Sequence, residues 1–167
     1  MPVKDLIIDV GALDLTNILA DADAIRECNP QRFEMEQLTA IVFEDMEALV
    51  CAGYKDVGED EFWVRGHMPG MPLMPGVIIC EAAAQLSGYF AIKHDMLGTR
   101  LVGFGGLTDV HFRGMVRPGD RLVIAIHRLK LRRGAMIVCR FQAFVENEFV
   151  CDGVIKGVPL PEVPAVM

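Results

Sequence analysis

The chain has 167 residues, 52% of them hydrophobic and 23% charged, which is typical of one folded domain over residues 1–167 and excludes an intrinsically disordered chain. Its formal net charge of −7 argues against nucleic acid as a partner. We expect no signal peptide and no membrane span, because the longest apolar stretch, residues 76–92, carries Glu81 and Gln85. Five cysteines without a CxxC pair favour reduced thiols in the cytoplasm over disulfides or a zinc site.

The N-terminal part, residues 1–28, is predicted to be a helical segment. Residues 13–28 predict one or two short helical turns with a cap at Asp14 or Thr16, and the Asn29-Pro30 pair ends them.

Strand-forming residues follow. The stretch "LTAIVFEDMEALVCAGYKDV", residues 38–57, is rich in β-branched and aromatic residues and breaks near Glu44-Asp45. A short strand, "EFWVRG", is predicted over residues 61–66, ahead of a segment rich in glycine and proline.

A single long helix is predicted over residues 76–97, closed by Gly98. Between residues 76 and 92 only Glu81, Gln85 and Ser87 are polar. A helix that is apolar nearly all round must be covered on most of its sides.

Four more strands are predicted, over residues 101–117, 121–132, 135–146 and 149–158, and residues 159–167 are predicted to be a loose tail. The turns between the strands are signalled by Pro118-Gly119-Asp120, Arg133-Gly134 and Glu146-Asn147. One antiparallel sheet wrapped around one long central helix satisfies both sets of observations, so we predict an α+β hotdog fold.

Candidate chemistry is concentrated in "GHMPGMPLMPGVIICEAAAQ", residues 66–85. Its three prolines stiffen the segment that carries His67. The first helical turn then presents the backbone amides of Gly76, Val77 and Ile78, which favour a negative charge.

Glu81 lies one turn further along the helix, and Gln85 at i+4 is placed to hydrogen-bond its carboxyl group. A base, a carboxyl group shielded from water and a set of amides are what proton abstraction next to a carbonyl requires. The simpler interpretations are a turn-capping role for His67 and surface exposure for Glu81.

The same segment resembles the signature of the β-hydroxyacyl-acyl carrier protein dehydratases of the FabZ type, G-H-F-P-G-x-P-x-M-P-G-V-L-x-x-E-A-M-A-Q. Residues 109–122, "DVHFRGMVRPGDRL", resemble the family's "VRFRRPVVPGDQL", and residues 29–38 faintly resemble its "PHRYPFLLVD". The resemblance extends over about residues 25–158.

The resemblance implies a hotdog fold, dimers assembled into hexamers, and dehydration of a (3R)-hydroxyacyl chain on acyl carrier protein to the trans-2-enoyl product in fatty acid biosynthesis. It implies His67 and Glu81 as the catalytic pair, contributed by different subunits of a dimer, with no metal or other cofactor. Gly76 and Val77 are expected beside the thioester carbonyl, and Met68, where the family has Phe, beside the acyl chain. Two alternatives stay open: a hotdog acyl thioesterase and a non-catalytic acyl-binding module.

Charge is distributed unevenly along the chain. Residues 1–61 contain 15 acidic and 4 basic residues, whereas residues 111–140 contain 8 basic residues and a single acid, Asp120. The basic stretch is interpreted either as a solvated strand face or as a docking surface for the acidic carrier protein. Arg132 and Arg133, next to a predicted turn, are the first candidates for that contact.

Overall fold

One long helix, surrounded by a six-stranded antiparallel sheet, organises the fold. The structure is a computed structural model, and it describes residues 5–162. The helices are α1 (Ala22–Cys28) and α2 (Gly76–Lys93), and the strands are β1 (Ala40–Asp45), β2 (Val50–Asp56), β3 (Val102–Phe112), β4 (Arg121–Arg132), β5 (Met136–Val145) and β6 (Glu148–Pro159). The order across the sheet is β1-β2-β4-β5-β6-β3, and every neighbouring pair is antiparallel. The predicted hotdog architecture is therefore confirmed.

Helix α2 is covered along most of its length, as its composition requires. Ala82, Ala83, Leu86 and Phe90 are fully buried in the main core, between the helix and the inner face of the sheet. The helix begins at Gly76 as predicted but ends at Lys93, four residues before the predicted end. Asp95 has a φ of 47°, which no α-helix contains, so the chain turns away before it reaches Gly98.

The N-terminal residues cover the outer face of the sheet. Val10 packs in a second buried cluster on that face with Tyr54 and Phe144. The side chain of Gln142, fully buried on β5, holds this segment in place by accepting from the amide of Ile7 at 2.8 Å. The first half of β4 is consequently buried on both faces, while its second half is exposed.

The prediction of helical turns over residues 13–28 is correct only at its end. Helix α1 is capped by the side chain of Asp21, not by Asp14 or Thr16. Asp14 instead accepts hydrogen bonds from the amide and hydroxyl of Thr16 in a local turn. Residues 1–4 of the predicted helical segment 1–28 lie outside the described residues.

The strand predicted over residues 61–66 is wrong, because this segment forms successive turns. The carbonyl oxygen of Trp63 accepts from the amides of Gly66 and His67, at 3.2 and 2.8 Å. The indole of Trp63 is buried in the main core. The aromatic residue that suggested a strand therefore packs in the core from a turn.

The four later strands are confirmed with small shifts in their bounds. Gly119, Gly134 and Asn147 adopt positive φ angles at the predicted turns. Strand β3 ends at Phe112 and not at residue 117. The start of the predicted tail belongs to the sheet, since β6 extends to Pro159. The amide of Leu160 also donates to the carbonyl of Leu101 at 2.9 Å. Residues 163–167 lie outside the described part.

Candidate active site

His67 lies in a loop that is braced by its own backbone. The amide of Met68 donates to the carbonyl of Met71 and the amide of Met71 donates back, at 3.0 and 2.9 Å, while the amide of Leu73 donates to the carbonyl of His67 at 2.9 Å. The proline-rich segment is therefore ordered around the half-buried His67, as its composition predicted. Met68 itself is 44% exposed.

One hydrogen bond orients the imidazole of His67. Its Nδ1 lies 2.8 Å from the carbonyl oxygen of Leu73. A carbonyl oxygen only accepts, so the neutral ring carries its proton on Nδ1 and keeps a lone pair on Nε2. Nε2 is thus the nitrogen that can act as a base.

The start of α2 offers two free amides, one fewer than expected. The amide of Ile78 donates to the carbonyl of Pro75 at 2.9 Å and is not available to a ligand. No backbone acceptor within residues 5–162 is found for the amides of Gly76 and Val77. The ring of Phe112 lies against Gly76, because a Cβ added there would be 2.6 Å from the ring atom Cε1.

The expected hydrogen bond between Gln85 and Glu81 is present, with Gln85 Nε2 donating to Glu81 Oε1 at 2.9 Å. Gln85 is 4% exposed, and backbone groups of the loop after α1 also hydrogen-bond to its side chain. Its Nε2 donates to the carbonyl of Met35 at 2.6 Å, and its Oε1 accepts from the amide of Gln37 at 2.9 Å. Glu81 is therefore oriented by a side chain that the loop after α1 fixes, a contact the sequence did not reveal.

A cavity of about 70 Å³ opens beside Glu81, between α2 and the strands β3, β5 and β6. Gln85 also lines it, but His67, Met68, Gly76 and Val77 do not. One chain therefore brings Glu81 and Gln85 together at a cavity and holds His67 elsewhere.

Two polar residues at this cavity, Asn29 and Gln31, were missed by the sequence reasoning. The Asn29-Pro30 pair was interpreted only as a helix stop. The available signal was a pair of uncharged polar side chains on either side of Pro30, in the segment that leads to the first strand.

The two arginines proposed for docking differ in their surroundings. The guanidinium of Arg133 pairs with the carboxylate of Asp95 at 2.9 Å and also donates to the Asp95 carbonyl oxygen. Arg132, at the exposed end of β4, has no ion pair within residues 5–162.

Within residues 5–162, no three His, Cys, Asp or Glu side chains come together as a possible metal-binding group. No helix in that part of the chain has the length and apolar character needed to cross a membrane.

Solved structures with a similar fold define the class of protein. The dehydratase heterocomplex ApeI:P from Xenorhabdus doucetiae superimposes with a TM-score of 0.70 at 15% identity, covering 83% of this chain and 91% of that one. The PaaI protein from the Escherichia coli phenylacetic acid degradation operon superimposes with a TM-score of 0.55 at 13% identity, covering 71% and 80%. By its fold, the protein is a hotdog protein.

Sequence relatives define the family more narrowly. The model of the FabA-like domain family matches residues 29–153. A protein of Mannheimia succiniciproducens is 35% identical over 136 residues, which cover 80% of this chain and 89% of the relative. A protein of Syntrophobacter fumaroxidans is 38% identical over 125 residues, covering 74% and 82%. Both are named 3-hydroxyacyl-acyl-carrier-protein dehydratase FabZ. The chain belongs to the FabA-like family, and the resemblance found in its sequence is confirmed.

Proposed function

We propose that the protein is a 3-hydroxyacyl-acyl carrier protein dehydratase of fatty acid biosynthesis, which converts (3R)-hydroxyacyl thioesters to trans-2-enoyl thioesters. The observation that carries the proposal is the anchored carboxyl group of Glu81 at a cavity, in a chain that also holds an imidazole with a free Nε2. Relatives at 35% and 38% identity are named for this activity.

In the proposed reaction, His67 Nε2 removes a proton from C2 of the acyl chain. The electron pair of that C–H bond moves toward the thioester carbonyl, where the amides of Gly76 and Val77 stabilise the negative charge on oxygen. The charge then returns to form the C2–C3 double bond as the C3–O bond breaks. The departing hydroxyl takes a proton from Glu81 and leaves as water. His67 then releases its proton and the Glu81 carboxylate takes one up, which restores the starting state.

Two copies of the chain complete the proposed site, with His67 from one and Glu81 from the other. Strand β3 supports this part of the proposal, because within residues 5–162 it pairs only with β6 and leaves its other edge open. It exposes Phe104, Leu107 and Phe112. An open apolar edge strand is a template for pairing with a second chain. We extend the proposal to a trimer of such dimers on the family resemblance alone.

The proposed substrate is carried by acyl carrier protein, and Arg132 is the first candidate for contact with this acidic partner. The proposed compartment is the cytoplasm, which suits a chain whose five cysteines are all unpaired thiols.

A spectrophotometric assay tests the proposed activity. Wild-type protein with a 3-hydroxybutyryl thioester should generate the ultraviolet absorbance of a crotonyl thioester without releasing thiol. His67→Ala and Glu81→Gln should each lower kcat by about 10²–10⁴-fold while the circular dichroism spectrum stays unchanged. Release of free thiol without enoyl product would favour the thioesterase alternative, and the absence of both would favour a binding module.

A further inference from the structure

The cavity beside Glu81 has a polar wall, and only part of that wall takes part in the proposed reaction. Asn29 and Gln31, from the loop after α1, line this wall together with Glu81 and Gln85. The rest of the lining is largely aliphatic and includes Ala84, Ile92, Val102, Ile137 and Ile155.

Asn29 is 5% exposed and turns one end of its amide toward the protein. Its Nδ2 donates to the carbonyl oxygen of Gln85 at 3.0 Å, which fixes the amide orientation because a carbonyl cannot donate. Its Oδ1 is shielded from water and has no hydrogen-bond partner among the described residues. A buried acceptor without a donor destabilises the fold, so a ligand that supplies a donor is favoured.

Gln31 presents a second acceptor of the same kind. Its Oε1 is shielded from water and lacks a partner within residues 5–162. A smaller cavity of about 10 Å³, roughly the size of one water molecule, is lined by Asn29, Gln31 and Gln85. Asn29 and Gln31 therefore line both cavities, one with space for an acyl chain and one with space for a single water.

We propose that Asn29 and Gln31 bind the 3-hydroxyl group of the substrate and make the enzyme select hydroxyacyl over non-hydroxylated acyl chains. This inference rests on the proposed dehydratase function. The 3-hydroxyl is a donor close to the reacting carbons, and it satisfies the unpaired oxygens while the alkyl chain contacts the aliphatic walls. The enoyl product has no donor at C3, so the same two oxygens favour its release, and the small cavity receives the water that forms.

The test compares two ligands that differ only in the hydroxyl group. Binding of 3-hydroxybutyryl-N-acetylcysteamine and butyryl-N-acetylcysteamine is measured by calorimetry, and turnover of the first is followed in parallel. Wild-type protein should prefer the hydroxylated ligand. Gln31→Met and Asn29→Leu should each reduce that preference by about 3–10-fold, the usual effect of losing one hydrogen bond.

Ile92→Val is the matched control, because it alters only the aliphatic wall and should change the affinities for both ligands in parallel. If Asn29→Leu fails to fold for want of the bond to Gln85, Gln31→Met decides the question. An unchanged preference in the folded Gln31→Met variant overturns the inference and assigns the two acceptors to a trapped water. A wild-type protein that binds both ligands but does not dehydrate the hydroxylated one contradicts the proposed function and leaves the selectivity comparison valid.

Discussion

Gly76 illustrates how a single residue connects packing with the proposed chemistry. The position does not need glycine for its backbone conformation; it needs the absence of a side chain, because the ring of Phe112 occupies the space of a Cβ. Gly76 also supplies the first amide of α2, for which no backbone acceptor is found within residues 5–162, and the proposed oxyanion site requires such an amide.

Gly76→Ala should therefore lower the free energy of unfolding by about 1–3 kcal/mol, the usual range for an overpacked site. Adding Phe112→Leu should recover most of the loss in urea denaturation. Gly88→Ala serves as the control, since no atom lies within 4 Å of its added Cβ, and alanine should stabilise the helix there by about 0.5–1 kcal/mol. Additive losses in the double variant would show that the ring is not the cause.

The five thiols should differ in reactivity according to their burial. Burial raises the pKa of Cys139 to about 11 and also raises the pKa of the half-buried Cys28. Iodoacetamide at pH 8 should modify Cys28 first in the native protein, slowly, and with a rate that rises with pH because the thiolate is the reactive form. Mass spectrometry should find all five cysteines modified after denaturation, and rapid native labelling of Cys139 would contradict the packing described.

At the scale of elements, the β4–β5 hairpin contacts the end of α2 through Arg133. The guanidinium of Arg133 pairs with the carboxylate of Asp95, where the chain leaves the helix. The same guanidinium covers Gly98, because a Cβ added at Gly98 would lie 3.2 Å from Arg133 Nη2. Arg133 thus has a local structural role that Arg132 lacks, and the two proposed docking residues are expected to behave differently.

Arg132→Glu should raise KM for the carrier-protein substrate by about 3–10-fold at low salt and leave KM for the N-acetylcysteamine thioester unchanged, because the charge acts only on the carrier. Arg133→Glu should also lower Tm, since it places two carboxylates together. Asp95→Asn is the control that removes the ion pair without changing the basic surface. Equal changes in KM for both substrates would identify Arg132 as part of a solvated face.

At the scale of the molecule, the two edges of the sheet differ. The β1 edge is partly covered, because the amide of Leu19 donates to Ile41 and the amide of Ile41 donates to Ala20, at 2.8 and 2.9 Å. The β3 edge is open along the described chain, and the exposed Val77 adds to the apolar surface near the start of α2. The open β3 edge and the separation of His67 from the Glu81 cavity both support the proposed dimer.

Mixing inactive His67→Ala with inactive Glu81→Gln should restore activity, because one mixed dimer contains one site with both residues intact. Random exchange makes half of the dimers mixed, each with one of two sites active, so about a quarter of wild-type activity is expected. Light scattering establishes the oligomeric state beforehand. A monomer, or verified mixed dimers without activity, would contradict the shared site.

Much of this fold was predictable because its signals are local. The apolar residues of α2 required a surrounding sheet, and the glycine and asparagine turns placed the β4–β5 and β5–β6 hairpins and the connection from β3 to β4. Glu81 and Gln85 were predicted to pair because i and i+4 side chains share a helix face. The segment around Trp63 misled the prediction, since an aromatic residue in a buried turn has the same composition as one in a strand.

Tertiary structure decided the contacts that join distant parts of the chain. The loop at residues 29–37 reaches α2 through hydrogen bonds that span about fifty positions, and no local pattern specifies them. The proton on His67 Nδ1 depends on where the carbonyl of Leu73 lies after the loop closes. The sequence by itself determined which chemical groups are available and the helix that carries Glu81. Folding decided which of those groups meet, because burial and hydrogen-bond geometry depend on the whole packed chain.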